Sequence, residues 1–577
     1  MTKLFKYLKP YIWSIIAVFF LTIIQVGVNL ELPGYMARII DEGIMENQTD
    51  IIFSVGFIML SISLAGAVCI VLAGYLAARI ATGFAMVVRE KVFDKVHDFS
   101  LVEFNRFSTS SLITRSTNDI QQIQTIVFMM LRIMLVAPLT AAGAIFQAYR
   151  TAPSMTWIMG LAVFVIIGVV VLLWSIVMPK FKLLQKLIDR LNLVTRENLS
   201  GLRVIRAFNA EKYEEKKFNQ ANLDLVDLNL FLNRLLALIQ PLMTLISSFA
   251  MIMVIWVGAR LIGDGSFLVG DMIAFMQYLT LVLFGFMMMS MIFIMLPRAM
   301  VSGGRVADVL ASEPAIKEPL KSCSFKPGAP AIEFRDVTFA YPEAEYPVLK
   351  NITFIAESGK TTALIGSTGS GKSTLLHLIT RFYDVSFGHV LIEGVDVRQL
   401  KFTDLYGRLG YVPQKGVLFS GTIGSNIKYG APQADDYRAH AAASVAQASE
   451  FIDKTKEGLE ASIAQGGTNV SGGQKQRLSI ARALVKKPDI FLFDDSFSAL
   501  DFRTDVALRQ ALKTETAQAT VLIVAQRINT VMNADKIIVL DKGKISGIGK
   551  HLDLLKNCAV YKEIALSQLS KEELYKY

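Results

Sequence analysis

As far as about residue 300 the chain reads as long apolar runs separated by polar joints, and beyond it as short apolar segments in a mixed background. Six runs, near 12–34, 52–78, 127–149, 155–178, 236–260 and 270–297, are predicted to be membrane helices. Each can cross a hydrocarbon layer ~30 Å thick, which takes about 20 helical residues. The first run starts too late and extends too far for a cleavable signal peptide, so it is expected to be retained. Ahead of it, MTKLFKYLKPY alternates Lys with Leu, Phe and Tyr, as an interfacial segment would.

The joints alternate in length and charge. Those after the first, third and fifth runs are short and carry Asp41, Glu42, Glu46 and Asp264. Those after the second and fourth are about fifty residues each and basic. One holds Arg89, Lys91, Lys95, Arg106 and Arg115; the other holds Lys180, Lys182, Lys186, Arg203, Arg206, Lys216 and Lys217. Lys and Arg accumulate on the cytoplasmic side, which places the long joints and both chain ends there. Leu187, Leu191 and Val194 recur at helical spacing, so the spans are expected to continue as helices into the cytoplasm.

Residues 311–330, rich in Pro, Ser and Lys, read as a linker. After it, β-branched runs at 362–365, 491–493 and 520–524 alternate with helical stretches, an α/β pattern. The expected organisation is a membrane domain over 1–310, a linker over 311–330 and an α/β domain over 331–577. Composition agrees: 53% of the 577 residues are hydrophobic and 19% charged, which excludes a wholly soluble or disordered chain. The net charge of +10 is explained by basic loops beside a membrane and needs no nucleic acid. Cys69, Cys323 and Cys558 form neither a CxxC pair nor a metal-binding spacing.

Chemistry enters at GSTGSGKS, which fills every position of the phosphate-binding loop pattern between a strand-like and a helical segment. Gly366, Gly369 and Gly371 let the backbone curl, so that the amides of Ser367, Thr368, Ser370 and the first helical turn at Thr374 face phosphate oxygens. Lys372 reaches the terminal phosphates of ATP, and the Ser373 hydroxyl can ligate Mg²⁺. Asp494, ending the apolar run 490–493, is the expected second Mg²⁺ ligand, acting through water.

Between these motifs lies Val470-Ser471-Gly472-Gly473-Gln474, which resembles the signature of ATP-binding cassette (ABC) proteins with Val in the usual Leu place. Further positions match in order: Tyr341 the adenine-stacking aromatic, Gln414 the Q-loop residue that touches Mg²⁺, and 498–501 the D-loop ending in Asp501. The whole chain resembles a bacterial exporter half-transporter. The resemblance implies a type IV exporter fold: a six-helix bundle with long cytoplasmic extensions, domain-swapped on dimerisation and fused to a P-loop nucleotide-binding domain. It also implies ATP-driven efflux across the bacterial plasma membrane, with Ser471 to Gln474 closing over ATP on a second subunit and coupling helices near 108–115 and 201–208. An exporter of lipids or peptides is the alternative within this class.

Three positions depart from the family pattern, two of them at the γ-phosphate. The catalytic Glu is replaced by Asp495 and the switch His by Gln526, and Gln465 stands before the signature where Glu is common. Asp is one methylene shorter, and a general base must lie within about 3 Å of its water. Gln cannot carry an imidazole's charge or shuttle its proton. These changes imply a slow ATP site and a different, competent partner subunit; a slow homodimer is the alternative.

For the cargo, Met272, Met276, Met287, Met288, Met289, Met291 and Met295 with Phe275, Phe284 and Phe286 crowd the sixth run. They suit either a cavity that accepts lipophilic shapes or helix packing. Glu31, beside Pro33, either meets a cationic substrate or satisfies a polar group of a neighbouring helix. Asp41 and Glu42 are read, by resemblance, as extracellular gate residues or as solvated helix-end acids.

Overall fold

The computed structural model describes residues 2–342 and 344–574, with side chains described except at 2–3, 182, 290–294 and 297–298. Among the described residues six helices are long and apolar enough to cross a membrane, Leu4–Ile44, Thr49–His97, Thr109–Thr151, Pro153–Ala207, Glu211–Gly263 and Val269–Met289. The chain divides into two compact units, Met1–His97 with Thr109–Ser312, and Asp98–Ser108 with Glu313–Tyr577.

In the first unit, α1 (Ile12–Arg38), α2 (Thr49–His97), α4 (Ile120–Thr151) and α8 (Val269–Ala311) pack as a bundle, while α5 (Thr156–Ala207) runs beside α6 (Glu211–Ala237) and α7 (Ile239–Gly263). Small residues make the seam between α4 and α8: Ala144 and Ala148 are fully buried where Phe275 and Val282 press in. Lipid tails are as apolar as the helices, so close backbone approach rather than burial from water holds such seams together. The apolar residues Phe53, Phe57 and Phe164 point outward, as lipid-facing positions do. Helices α2 and α5 continue far past their apolar runs, as their periodicity predicted.

The short helix α3 (Leu101–Phe107) belongs to the second unit. Ser100 and Glu103 form a capping box at its start, and Glu103 Oε1 also accepts from the Ala315 amide at 3.1 Å. Leu101 and Val102 pack on the α/β core, and Asn105 Nδ2 donates to Tyr383 Oη at 3.1 Å. The turns that pack on the α/β core are thus 100–107, just before the 108–115 expected for coupling. The expectation rests on the family resemblance, whereas the capped helix and its apolar pair lie at 100–107.

The second unit is built on a six-stranded sheet, ordered β10 (Lys544–Gly549), β9 (Lys536–Asp541), β3 (Thr361–Gly366), β8 (Thr520–Val524), β7 (Ile490–Asp494) and β6 (Leu409–Val412). Only β9 and β10 pair antiparallel; the other neighbours are parallel and, being covered on both faces, read as continuous apolar runs. A second, antiparallel sheet is ordered β2 (Leu349–Ala356), β1 (Ile332–Phe339), β4 (Phe387–Ile392) and β5 (Val395–Asp396). The carboxyl ends of β3 and β7 lie in one sheet, one strand apart, which is where an open α/β sheet offers a ligand site.

Candidate nucleotide site

Strand β3 ends in the phosphate loop, and α9 (Lys372–Ile379) begins immediately after it. The glycines are required locally. A side chain at Gly366 would stand 2.1 Å from the Leu540 carbonyl, while Gly369 and Gly371 have φ of +80° and +97°. Lys372 folds over this loop, donating to the Gly366 carbonyl at 2.8 Å and the Ser367 carbonyl at 2.7 Å, with Ser370 Oγ at 3.4 Å. Burial lowers its pKa, with Asp495 and Asp494 opposing. Thr368 and Thr374 complete the loop, and Thr374 Oγ1 lies 3.0 Å from Tyr341 Oη. The Tyr341 ring is set edge-on between Phe339 and Tyr383.

Ser373 Oγ donates to Asp494 Oδ1 at 2.8 Å, so the loop hydroxyl and the strand-end carboxylate converge. Two hard oxygens with an amide nearby at Gln414 fit Mg²⁺, which takes few protein ligands and fills its octahedron with phosphate oxygens and water. Burial pushes the Asp494 carboxyl upward, with the Ser373 hydrogen bond opposing.

Asp495 is buried and sits at φ +45°. That left-handed conformation costs an L-residue about 1 kcal/mol, and Asp is among the few side chains found there. Its Oδ2 accepts from Gln526 Nε2 at 3.1 Å and from Gln414 Nε2 at 3.4 Å. Burial raises its pKa, with hydrogen bonds from Gln414 and Ser498 opposing. A contact not anticipated from sequence stands behind it. Gln568, just beyond α12 (Ala559–Leu566), donates to the Gln526 carbonyl at 2.8 Å and accepts from the Ile528 amide at 2.8 Å.

The glycine-rich signature opens α10 (Gly472–Leu484). Ser471 and Gln474 are occupied with each other in a capping box, Ser471 N to Gln474 Oε1 at 2.8 Å and Gln474 N to Ser471 Oγ at 3.3 Å. The first-turn amides of Gly472 and Gly473 are thereby left to an anion, as at other helix starts. Ser471 and Gly472 are exposed, as is Gln465. Among the described residues no hydrogen bond joins 471–474 to the chain's own phosphate loop. Asp501 caps α11 (Phe502–Glu515), accepting from the Thr504 amide at 3.0 Å.

The comparisons with known proteins bear on this geometry. A family model described as the ABC transporter transmembrane region matches residues 15–287, and one described as ABC transporter matches 349–498. An uncharacterized ABC transporter ATP-binding protein of Mycobacterium tuberculosis is 38% identical over 98% of this chain and 97% of its own. The chain belongs to the ABC transporter family. A second relative, the uncharacterized ABC transporter ATP-binding protein YfiB of Bacillus subtilis, is 36% identical over 99% of both chains. The ATP-bound structure of a bacterial Atm1-family ABC exporter has the same fold, with a TM-score of 0.81 over 97% of this transporter and 99% of that chain at 24% identity. The transporter thus carries six candidate spans fused to a P-loop domain that binds ATP and couples its hydrolysis to transport.

Of the membrane residues singled out in the sequence, Glu31 Oε1 accepts from Gln147 Nε2 at 3.2 Å, the helix-to-helix role. Asp41 Oδ1 accepts from the Gly270 amide at 2.8 Å, and Glu42 pairs with Arg38 at 2.7 Å. Phe275 is fully buried, and Met272, Met276 and Phe286 pack against the buried cluster to which it belongs. Met287, Met289 and Met295 are half-buried on α8, while Phe284 and Met288 border a cavity. The side chains of Met291 and Lys182 lie outside those described.

Proposed function

We propose that the transporter is one half of a heterodimeric efflux pump for lipophilic or amphipathic small molecules, and that the ATP site on its own phosphate loop turns over slowly. The observation that carries this is the closed set of Asp495, Gln526 and Gln414. Asp495, the acid next to Asp494 at the phosphate end, is short, buried and already hydrogen-bonded to two amides, neither of which can accept a proton from water in its place. In this reading Gly366 to Thr374 hold the phosphates, Tyr341 packs on adenine, and Ser373, Asp494 and Gln414 hold Mg²⁺. The signature from Ser471 to Gln474, with Asp501, serves ATP on the partner subunit.

The tip of the α5–α6 arm supports a second subunit. Phe208 is 80% exposed and Leu199 75% exposed, far along α5 from the apolar run. Apolar side chains at a cytoplasmic helix tip call for a protein surface to cover them. With basic long joints, the membrane is read as the bacterial plasma membrane and both chain ends as cytoplasmic.

The test is ATP turnover by the purified chain alone and with each candidate partner co-expressed. Slow turnover alone and brisk turnover with one partner is expected. Brisk turnover by the chain alone, abolished by Asp495→Asn, would establish a homodimer with a competent site instead.

A further inference from the structure

One cation lies inside an apolar span: Arg132, in the run FMMLRIMLV of α4. A charge at that depth is costly and persists where it has work to do. Arg132 is half-buried, its single hydrogen bond among the described residues running from Nη1 to the Ile70 carbonyl of α2 at 3.3 Å. The ion pairs described in this unit all lie elsewhere, so the guanidinium has no carboxylate partner among the described residues.

Arg132 lines a cavity of about 220 Å³ between α1, α4 and α8, together with Gln25, Asn29, Thr140, Phe284 and Met288. Gln25 and Asn29 stand four residues apart on one face of α1. Gln25 is 7% exposed and Thr140 6%, yet Gln25 Oε1 and Thr140 Oγ1 have no hydrogen-bond partner among the described residues. Each such buried, unmet group costs ~1–3 kcal/mol. Two of them beside an unpaired guanidinium, in one cavity, form a site prepared for something polar.

The donor set names its chemistry. Arg132 offers a planar fork that matches an oxyanion, with the Asn29 amide and the Thr140 hydroxyl as further donors. Gln25 Oε1 adds one acceptor, which suits a hydrogen-bond donor next to the anionic head. The volume takes a headgroup and little more, and Phe284, half exposed at the rim, leaves an apolar tail a path along α8. We propose that this cavity binds the carboxylate or phosphate head of an anionic amphiphile. The proposal deepens the efflux reading by naming a substrate class and rests on that reading only for the transport step.

The experiment measures binding without ATP, so that it stands apart from transport. The full-length transporter in phosphatidylcholine vesicles is titrated with dansylaminoundecanoic acid and with a dansylated alkyltrimethylammonium of equal chain length. The carboxylate is expected to bind more tightly, and Arg132→Gln to weaken it by at least about tenfold, in line with a charged hydrogen bond of ~1.5–3 kcal/mol. Arg132→Lys should recover part of the loss, and Gln25→Met should weaken binding less, with no variant unfolding at a lower temperature than the wild type. Adding phosphatidylglycerol separates the sources: displacement of the probe makes a lipid head the natural occupant, and its absence a free amphiphile, both within the proposal. Equal carboxylate affinity in the wild type and Arg132→Gln, or tighter binding of the ammonium probe, would overturn it. ATP-driven accumulation of neither probe would count against the efflux reading while the binding result still decides the site.

Discussion

The side-chain amide of Gln526 donates to Asp495 Oδ2 over 3.1 Å, linking the two positions on which the proposed slow site rests. The two positions are thus one structural unit. A carboxylate one methylene longer would have to displace this amide before it could hold a water, and a histidine in place of Gln526 could do so only if the acid moved forward to meet it.

This coupling predicts strong non-additivity. Asp495→Glu and Gln526→His are each expected to change ATP turnover of the isolated chain no more than a few-fold. The double variant should raise it by about tenfold or more, since misplacement by roughly 1 Å can cost ~10²-fold. Phosphate release across the four-member cycle measures it; additive effects would show the two positions to be independent.

Stability should depend on pH through the same acid. Burial raises the Asp495 pKa, with its hydrogen bonds opposing, so the folded state holds this proton more tightly than the unfolded chain. Its contribution is fully present below the ordinary Asp value of about 3.9 and is lost as pH rises through the raised value. Asp495→Asn is therefore expected to melt higher than the wild type at neutral pH without nucleotide, with the difference shrinking toward pH ~4. Mg²⁺ and ATP, which supply a cation beside Asp494, should also narrow it. Thermal unfolding of the full-length protein across pH reads both effects.

Gln568 positions the segment that carries Gln526 by holding the Gln526 carbonyl and the Ile528 amide. Gln568→Ala should speed amide exchange over 526–528 while leaving ATP affinity within about twofold. Two hydrogen bonds at ~1 kcal/mol each set the expected loss of protection at roughly ten- to thirtyfold. Gln568→Glu, which keeps only the acceptor for Ile528, should fall between. Mass-resolved hydrogen exchange distinguishes these outcomes.

Glu103 ties α3 to the second unit by accepting from Ser100 N at 2.8 Å, Ser100 Oγ at 2.7 Å and Ala315 N at 3.1 Å. Glu103→Ala removes a capping box and an anchor together, and a loss of about 1–2 kcal/mol is expected. Cargo-stimulated ATP turnover of the assembled pump should fall more than basal turnover. Equal losses in both would reduce Glu103 to a stabilising role.

What could be read in advance follows the range of the interactions. The phosphate loop was legible because its glycines are demanded by the local backbone: positive φ at Gly369 and Gly371, and the Leu540 carbonyl against Gly366. The spans were legible because lipid imposes a length. The Gln568 clamp was not, since 42 residues separate it from Gln526 and no periodicity relates them. For α3 a local signal existed in Ser100-x-x-Glu103, a capping-box pattern, but the coupling assignment followed the family resemblance to the turns after it. The methionines of α8 show a further limit. Spacing gives a face, yet whether Met272 meets packed Phe275 and Met288 meets a cavity depends on the neighbouring helices.

The membership of residues 98–108 in the second unit gives that unit a history in time as well as a place in space. Its first piece leaves the ribosome roughly two hundred residues before the rest, and most of the membrane helices are made in between. Leu101 and Val102 must therefore wait uncovered, within reach of chaperones, until the α/β core that receives them is made. Exchanging ATP-binding halves between related pumps would accordingly fail at this seam unless the eleven early residues travel with the cassette they were selected to fit.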